Sequence, residues 1–258
     1  MMEGIIAEGP VAFYGFTMKA PFMLAAAALS LAAFGCRGRG RAPEEKRVAA
    51  PASPHVMVPR LTGSLRLDGH LEEPDWRRCG RGGPFLERGT RRPARPYSEV
   101  RFLWDARRLY VGLYAADQDL RAIAPAKSPP AAGDDAFWLR VGQEGGGVLV
   151  LAFTPRGAAT EWRERAGGRR DPSWRSGVQA AVDRDGTINN PADEDEEWVI
   201  EAAIPLASLG LAPRPGATLR LAIERCDTPK GSPRRCGTWG RDERGAMTGL
   251  IELAEQAR

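Results

Sequence analysis

The side chains best suited to chemistry in this sequence are its seven tryptophans, an acidic stretch ahead of one of them, and two late cysteines. An indole offers a broad apolar surface that can lie on the C–H face of a pyranose, while polar groups nearby bond the hydroxyls. Trp76, Trp104 and Trp198 sit in periodic or opening stretches and read as core. Trp138 alternates with Phe137 and Leu139, so it is a candidate for the second side of a central strand. Trp162, Trp174 and Trp239 lie in polar, turn-rich surroundings and are the better candidate platforms. Arg175, Glu161, Glu224, Arg225 and Asn190 carry groups that could bond vicinal hydroxyls in a bidentate manner.

Cys226 and Cys236 flank a turn-rich loop, Asp227–Arg235, that follows an apolar stretch. A disulfide across such a loop is geometrically reasonable where paired strands bring Cα atoms together. Cys79 is left over, either buried and inert or competing for a partner, and spacing leaves that open. No Cys-x-x-Cys occurs, and the histidines are His55 and His70 alone, which argues against zinc or haem. Gly-x-Ser-x-Gly, His-Glu-x-x-His and the phosphate-loop pattern are absent, so neither a hydrolase nor a nucleotide site is expected. A glycosidase would need two carboxylates at a set separation, and no pair stands out among the 33 acids.

The elements that must position these residues read as strands. Short apolar stretches recur between turn signals at Leu65–Leu67, Val100–Trp104, Leu109–Ala115, Phe137–Val141, Val148–Phe153, Val178–Val182, Trp198–Ile204, Leu219–Glu224 and Gly249–Leu253. Asp105–Arg108 breaks two of them into a hairpin, and Pro205–Leu209 allows one helical turn. The expected fold is all-β, a two-layer antiparallel β-sandwich, jelly-roll-like, with few short helical turns. Segments 84–97 and 163–176 are expected to be long loops.

The net charge of +4 belongs mostly to the first 60 residues, since 61–258 holds 30 basic and 29 acidic residues. That balance gives no reason to invoke nucleic acid, and arginine clusters such as Arg169-Arg170 read as loop decoration. Residues 1–36 carry Met18-Lys19, an apolar run, and small residues before Cys36. This stretch resembles a bacterial lipoprotein signal, which implies export, lipid attachment at Cys36 and a periplasmic or cell-surface location. The alternatives are a transmembrane helix or a buried N-terminal segment. Ala33-Phe34-Gly35 departs from the usual leucine three places before the cysteine. Residues 37–60 read as a flexible linker and 61–258 as the folded domain.

Several landmarks in 61–258 occur in a familiar order. Leu67-Asp68-Gly69 precedes Glu73 and Trp76; Val100–Asp105 precedes Leu109-Tyr110-Val111; Asp117 and Asp119 close the next stretch. Asp134-Asp135-Ala136-Phe137, Phe153–Gly157, Trp198–Pro205 with Leu209, and Leu219–Arg225 followed by Trp239 complete the series. Together they resemble carbohydrate-binding modules of family 9. The resemblance implies a sandwich, glycan recognition between two tryptophans, here Trp174 and Trp239, and structural calcium. The calcium candidates are Asp183, Asp185, Asp193 and Asp195 in the acidic loop, and Asp134 and Asp135. The loop fails EF-hand spacing after Gly186, and a solvated charged loop is its alternative. The expected role is a non-catalytic glycan-binding module; the rivals are a sandwich used for protein–protein contacts or as an accessory to glycoside hydrolysis.

Overall fold

In the computed structural model, the described residues are 54–256 apart from Arg91 and Ala158. The expected leader, the lipidation candidate Cys36 and the linker up to residue 53 lie outside the described residues.

Alternating sequence makes two stacked sheets. The larger has nine strands, with a main path β1 (His55–Pro59), β14 (Gly249–Ala254), β12 (Thr218–Asp227), β6 (Ala136–Gly142), β7 (Val148–Phe153), β8 (Thr160–Glu164) and β9 (Arg170–Asp171). Beside the distal half of β12 lies β13 (Arg235–Trp239), and beyond it β3 (Leu86–Glu87). The smaller sheet runs β10 (Gln179–Asp185), β11 (Glu197–Pro205), β5 (Arg108–Ala116), β4 (Ser98–Trp104) and β2 (Gly80–Gly82). All strand pairs are antiparallel except β1 with β14. One helical turn, α1 (Leu206–Leu209), and two 3-10 turns complete the described elements.

The core follows from period-two patterning. Val100, Phe102 and Trp104 of β4, Leu109, Val111 and Leu113 of β5, and Trp198, Ile200 and Ile204 of β11 point inward from the smaller sheet. Phe137, Leu139 and Val141 of β6, Leu149, Leu151 and Phe153 of β7, and Leu221 and Ile223 of β12 meet them from the larger. Burying this set removes apolar surface from water, at about 1.5–3 kcal/mol for each large side chain.

The outer faces of the two sheets differ. Residues 61–79 lie across the smaller sheet, where Leu71 and Trp76 pack on Leu103, Tyr110, Val199 and Ala203. Glu201, fully buried in β11, fixes that segment by accepting bonds from Asp68 N, Gly69 N and Trp76 Nε1, each at 2.8 Å. Gly69 has φ +95°, and a Cβ there would come within 2.4 Å of Asp183 N, so this turn requires glycine. The larger sheet's outer face is lined by aromatic and charged side chains instead.

Four expectations change. The strand expected at Leu65–Leu67 is part of the irregular segment, which covers a sheet face rather than joining a ladder. The linker expected to reach residue 60 contains β1, whose Val56 and Val58 are buried in the core. The loop expected over 84–97 holds β3, and that expected over 163–176 holds the end of β8 and all of β9. In the last three cases a short stretch gains order by pairing with a strand distant in sequence or across a turn.

Candidate functional site

The sandwich assigns the tryptophans to different roles. Trp239 is 3% exposed, its ring 5.8 Å from that of Phe102. Register explains this: β13 sets Trp239 opposite Ile223, an inward residue. The expectation that it forms one wall of a sugar slot is therefore corrected, because the core already covers its faces. Trp174 follows β9, is half-buried against the main core, and has Arg163 at 5.9 Å from its ring. Trp174 and Trp239 do not form an open slot between them.

The outer face of the nine-stranded sheet holds the other two. Trp138 leaves β6 on the side opposite Phe137 and Leu139 and stays half-buried, with Glu224 of β12 and Ala152 of β7 directly across. Trp162, opposite Val150, packs with Val150 and Ala152 on the same face. A guanidinium lies over each ring, Arg234 at 5.3 Å from Trp138 and Arg170 at 4.1 Å from Trp162. Arg170, expected as loop decoration, thus covers an indole, and Trp162 is only 4% exposed. Trp162 Nε1 donates to Glu164 at 2.9 Å, and Arg140 sits 3.5 Å from the same carboxylate. Glu224 pairs with Arg88 at 2.7 Å. The bridge between Cys226 and Cys236, which oppose one another in register, lies beside Glu224. Cys79 is free and half-buried; burial pushes its thiol up.

The polar shortlist divides similarly. Glu224 is on this outer face. Arg225 is not available to a ligand: it is 3% exposed and paired with Asp117 at 2.7 Å and Asp227 at 3.2 Å. Glu161 accepts bonds from the backbone and hydroxyl of Ser176 and holds the Trp174 loop. Arg175 turns back onto the carbonyls of Pro172 and Trp174. Asn190, half-buried, accepts a bond from the backbone N–H of Ala192.

Among the six calcium candidates only Asp135 joins an acidic cluster. Asp134 is buried and spends its carboxylate on the backbone N–H groups of Ile123, Ala124 and Ala131. Asp195 does the same for Leu120 and Thr187. Asp185 and Asp193 are exposed, and Asp183 lies 3.6 Å from His70. The two buried acids are loop anchors, because a carboxylate is a strong acceptor for otherwise orphaned N–H groups.

The cluster itself joins the two sheets. Asp117 follows β5, Asp135 precedes β6 and Asp227 ends β12; all three are buried, with ligand oxygens within 4.8 Å of one another. Burial, and next the Asp117 charge, pushes Asp135 up to about 8. Burial raises Asp117 to about 6 against the pull of Arg225, and burial also raises Asp227. Oδ2 of Asp227 and Oγ1 of Thr228 are buried without a partner. Three carboxylates around one guanidinium leave net negative charge in a poor solvent for it, which a shared proton or a hard cation would relieve. The all-oxygen donor set and the orphaned Asp227 oxygen fit such a cation. Asp117 carried a sequence signal as an acid closing an apolar stretch. Asp227 carried none beyond its place in the cysteine loop, since the cluster forms only through space.

The sequence matches no protein-family model and no curated protein. Solved structures do share the fold. A Bacteroides uniformis protein provisionally described as carbohydrate-binding superposes with a TM-score of 0.61 at 14% identity, over 78% of this chain and 99% of that one. A family 9 carbohydrate-binding module from Caldicellulosiruptor kristjanssonii, in complex with cellotriose, superposes with a TM-score of 0.50 at 14% identity, over 78% and 94% of the respective chains. The chain therefore has a family 9-like sandwich fold.

Proposed function

We propose that this protein is an exported, non-catalytic carbohydrate-binding domain whose ligand lies on the outer face of the nine-stranded sheet, against Trp138 and the Arg234 guanidinium that lies over its ring. The observation that carries this reading is a half-buried indole in mid-sheet, with Glu224 directly across from it, in a fold shared with a family 9 carbohydrate-binding module solved with cellotriose. The indole supplies the apolar surface, while Glu224 and Arg140 supply acceptors and donors for hydroxyls. Asp117, Asp135 and Asp227 are the residues that would hold a structural calcium ion, which would fix the two sheets together and take no part in ligand chemistry. The leader and the disulfide support delivery to an oxidising compartment, with Cys36 as the lipid attachment point.

Titration calorimetry with a panel of glycans, in calcium, tests the reading. We expect binding by the native protein, loss in Trp138→Ala, and the same melting midpoint in both. Failure of the well-folded protein to bind any glycan would sink the proposal, as would full binding by Trp138→Ala. A melting curve with and without chelator tests the metal separately, and an unchanged midpoint removes calcium from the account.

A further inference from the structure

The face that bears Trp138 is rich in guanidinium groups although the domain as a whole is nearly neutral. Arg88, Arg140, Arg170, Arg234 and Arg241 gather there against Glu164 and Glu224. The two glutamates form ion pairs with Arg140 and Arg88. Arg234 lies over Trp138, donates to the Ala131 and Ala132 carbonyls and feels the charges of Asp134, Asp135 and Glu224. Arg170 lies over Trp162, opposite Glu164 in register. Nε of Arg140 and Nε of Arg241 are buried without a hydrogen-bond partner. Burial, and then the nearby Arg140, lowers the pKa of Arg241, a sign of like charges crowded together. Beside Arg234 a pocket of about 360 Å³ is lined by Arg88, Arg95, Arg234 and Arg235, with Glu87 the only acid among its lining residues.

A protein that only needed to bond neutral hydroxyls would gain nothing from crowding guanidinium groups, each costly to desolvate beside the next. A guanidinium resting on an indole keeps its planar N–H edge directed away from the ring, the arrangement that meets a carboxylate or sulfate with two parallel bonds. Resting on the glycan reading above, we infer that the ligand is an acidic polysaccharide, and that the arginine pocket takes its carboxylate or sulfate while the adjoining sugar lies toward Trp138.

Calorimetric titration of the purified protein with dextran, dextran sulfate and polygalacturonate distinguishes these chemistries. We expect at least one acidic polymer to bind about tenfold or more tightly than dextran, with affinity falling as salt rises. Arg234→Gln and Arg88→Gln should each weaken acidic binding about tenfold and leave the melting midpoint in place. Comparable binding of neutral and acidic polymers, or indifference to both substitutions, would overturn the inference while sparing the glycan reading. Binding of no glycan, neutral or acidic, would overturn both. A single-stranded oligonucleotide or anionic vesicles binding as tightly as the acidic glycans would also overturn it, because the face would then be selecting charge alone.

Discussion

Glu201 and Asp135 are both buried acids, and the difference between them is one of partners. Glu201 spends its oxygens on two backbone N–H groups and an indole N–H. Glu201→Gln keeps the shape but turns an amide N–H₂ toward one of those donors. We expect it to cost about 1–3 kcal/mol in urea unfolding. Asp135 is held up to about 8 by burial and by the Asp117 charge, above its ordinary 3.8. In the window between those values the folded protein binds the proton that the unfolded chain releases. Without metal, the contribution of Asp135 is therefore fully present below its ordinary 3.8 and is lost as pH rises through that window. Melting in chelator should show the midpoint falling by several degrees from about pH 4 to about pH 8. Asp135→Asn should flatten that slope. Neither role is visible from composition. That Glu201 and Trp76 share a bond depends on a segment folding back over 125 positions of sequence.

Strands that alternate over a long stretch were readable, because β4, β5, β6, β11 and β12 each repeat the inward choice several times. The same alternation exposed Trp138 as a residue able to face away from Phe137 and Leu139. β13 was not readable: Arg235, Cys236, Gly237, Thr238 and Trp239 include a single large inward residue, and the strand exists because β12 pairs with it. Misreading that strand as a loop is what promoted Trp239 to a ligand platform. β8 hid in the same way, its charged residues outnumbering its one buried indole. The β12–β13 pair is also where the disulfide closes a sequence separation of 10. Replacing both cysteines by serine should cost about 2–3 kcal/mol on the loop-entropy argument. Equilibrium unfolding of the oxidised native protein against the double variant measures it.

At the scale of the molecule, overall charge concealed more than it revealed. Near balance over 61–258 coexists with an arginine-lined face and a separate, inward acidic knot at the junction of the sheets. The domain boundary was similarly hidden, because β1 finds its partner almost two hundred positions away. A chain begun at Leu61 loses Val56 and Val58 from the core, about 3–6 kcal/mol of burial, and leaves β14 an open edge. Compared with a chain begun at Pro54, it should unfold at lower urea and aggregate more readily.

The first strand and the last run side by side in the same direction, from His55 beside Leu250 to Pro59 beside Ala254. The polypeptide therefore enters at one end of this seam and leaves at the other. Tension applied through the two flanking segments would drag the strands past each other lengthwise, loading the whole seam together, whereas a hairpin in the same position would peel apart one rung after another. Under a load of that kind the seam is a mechanical latch.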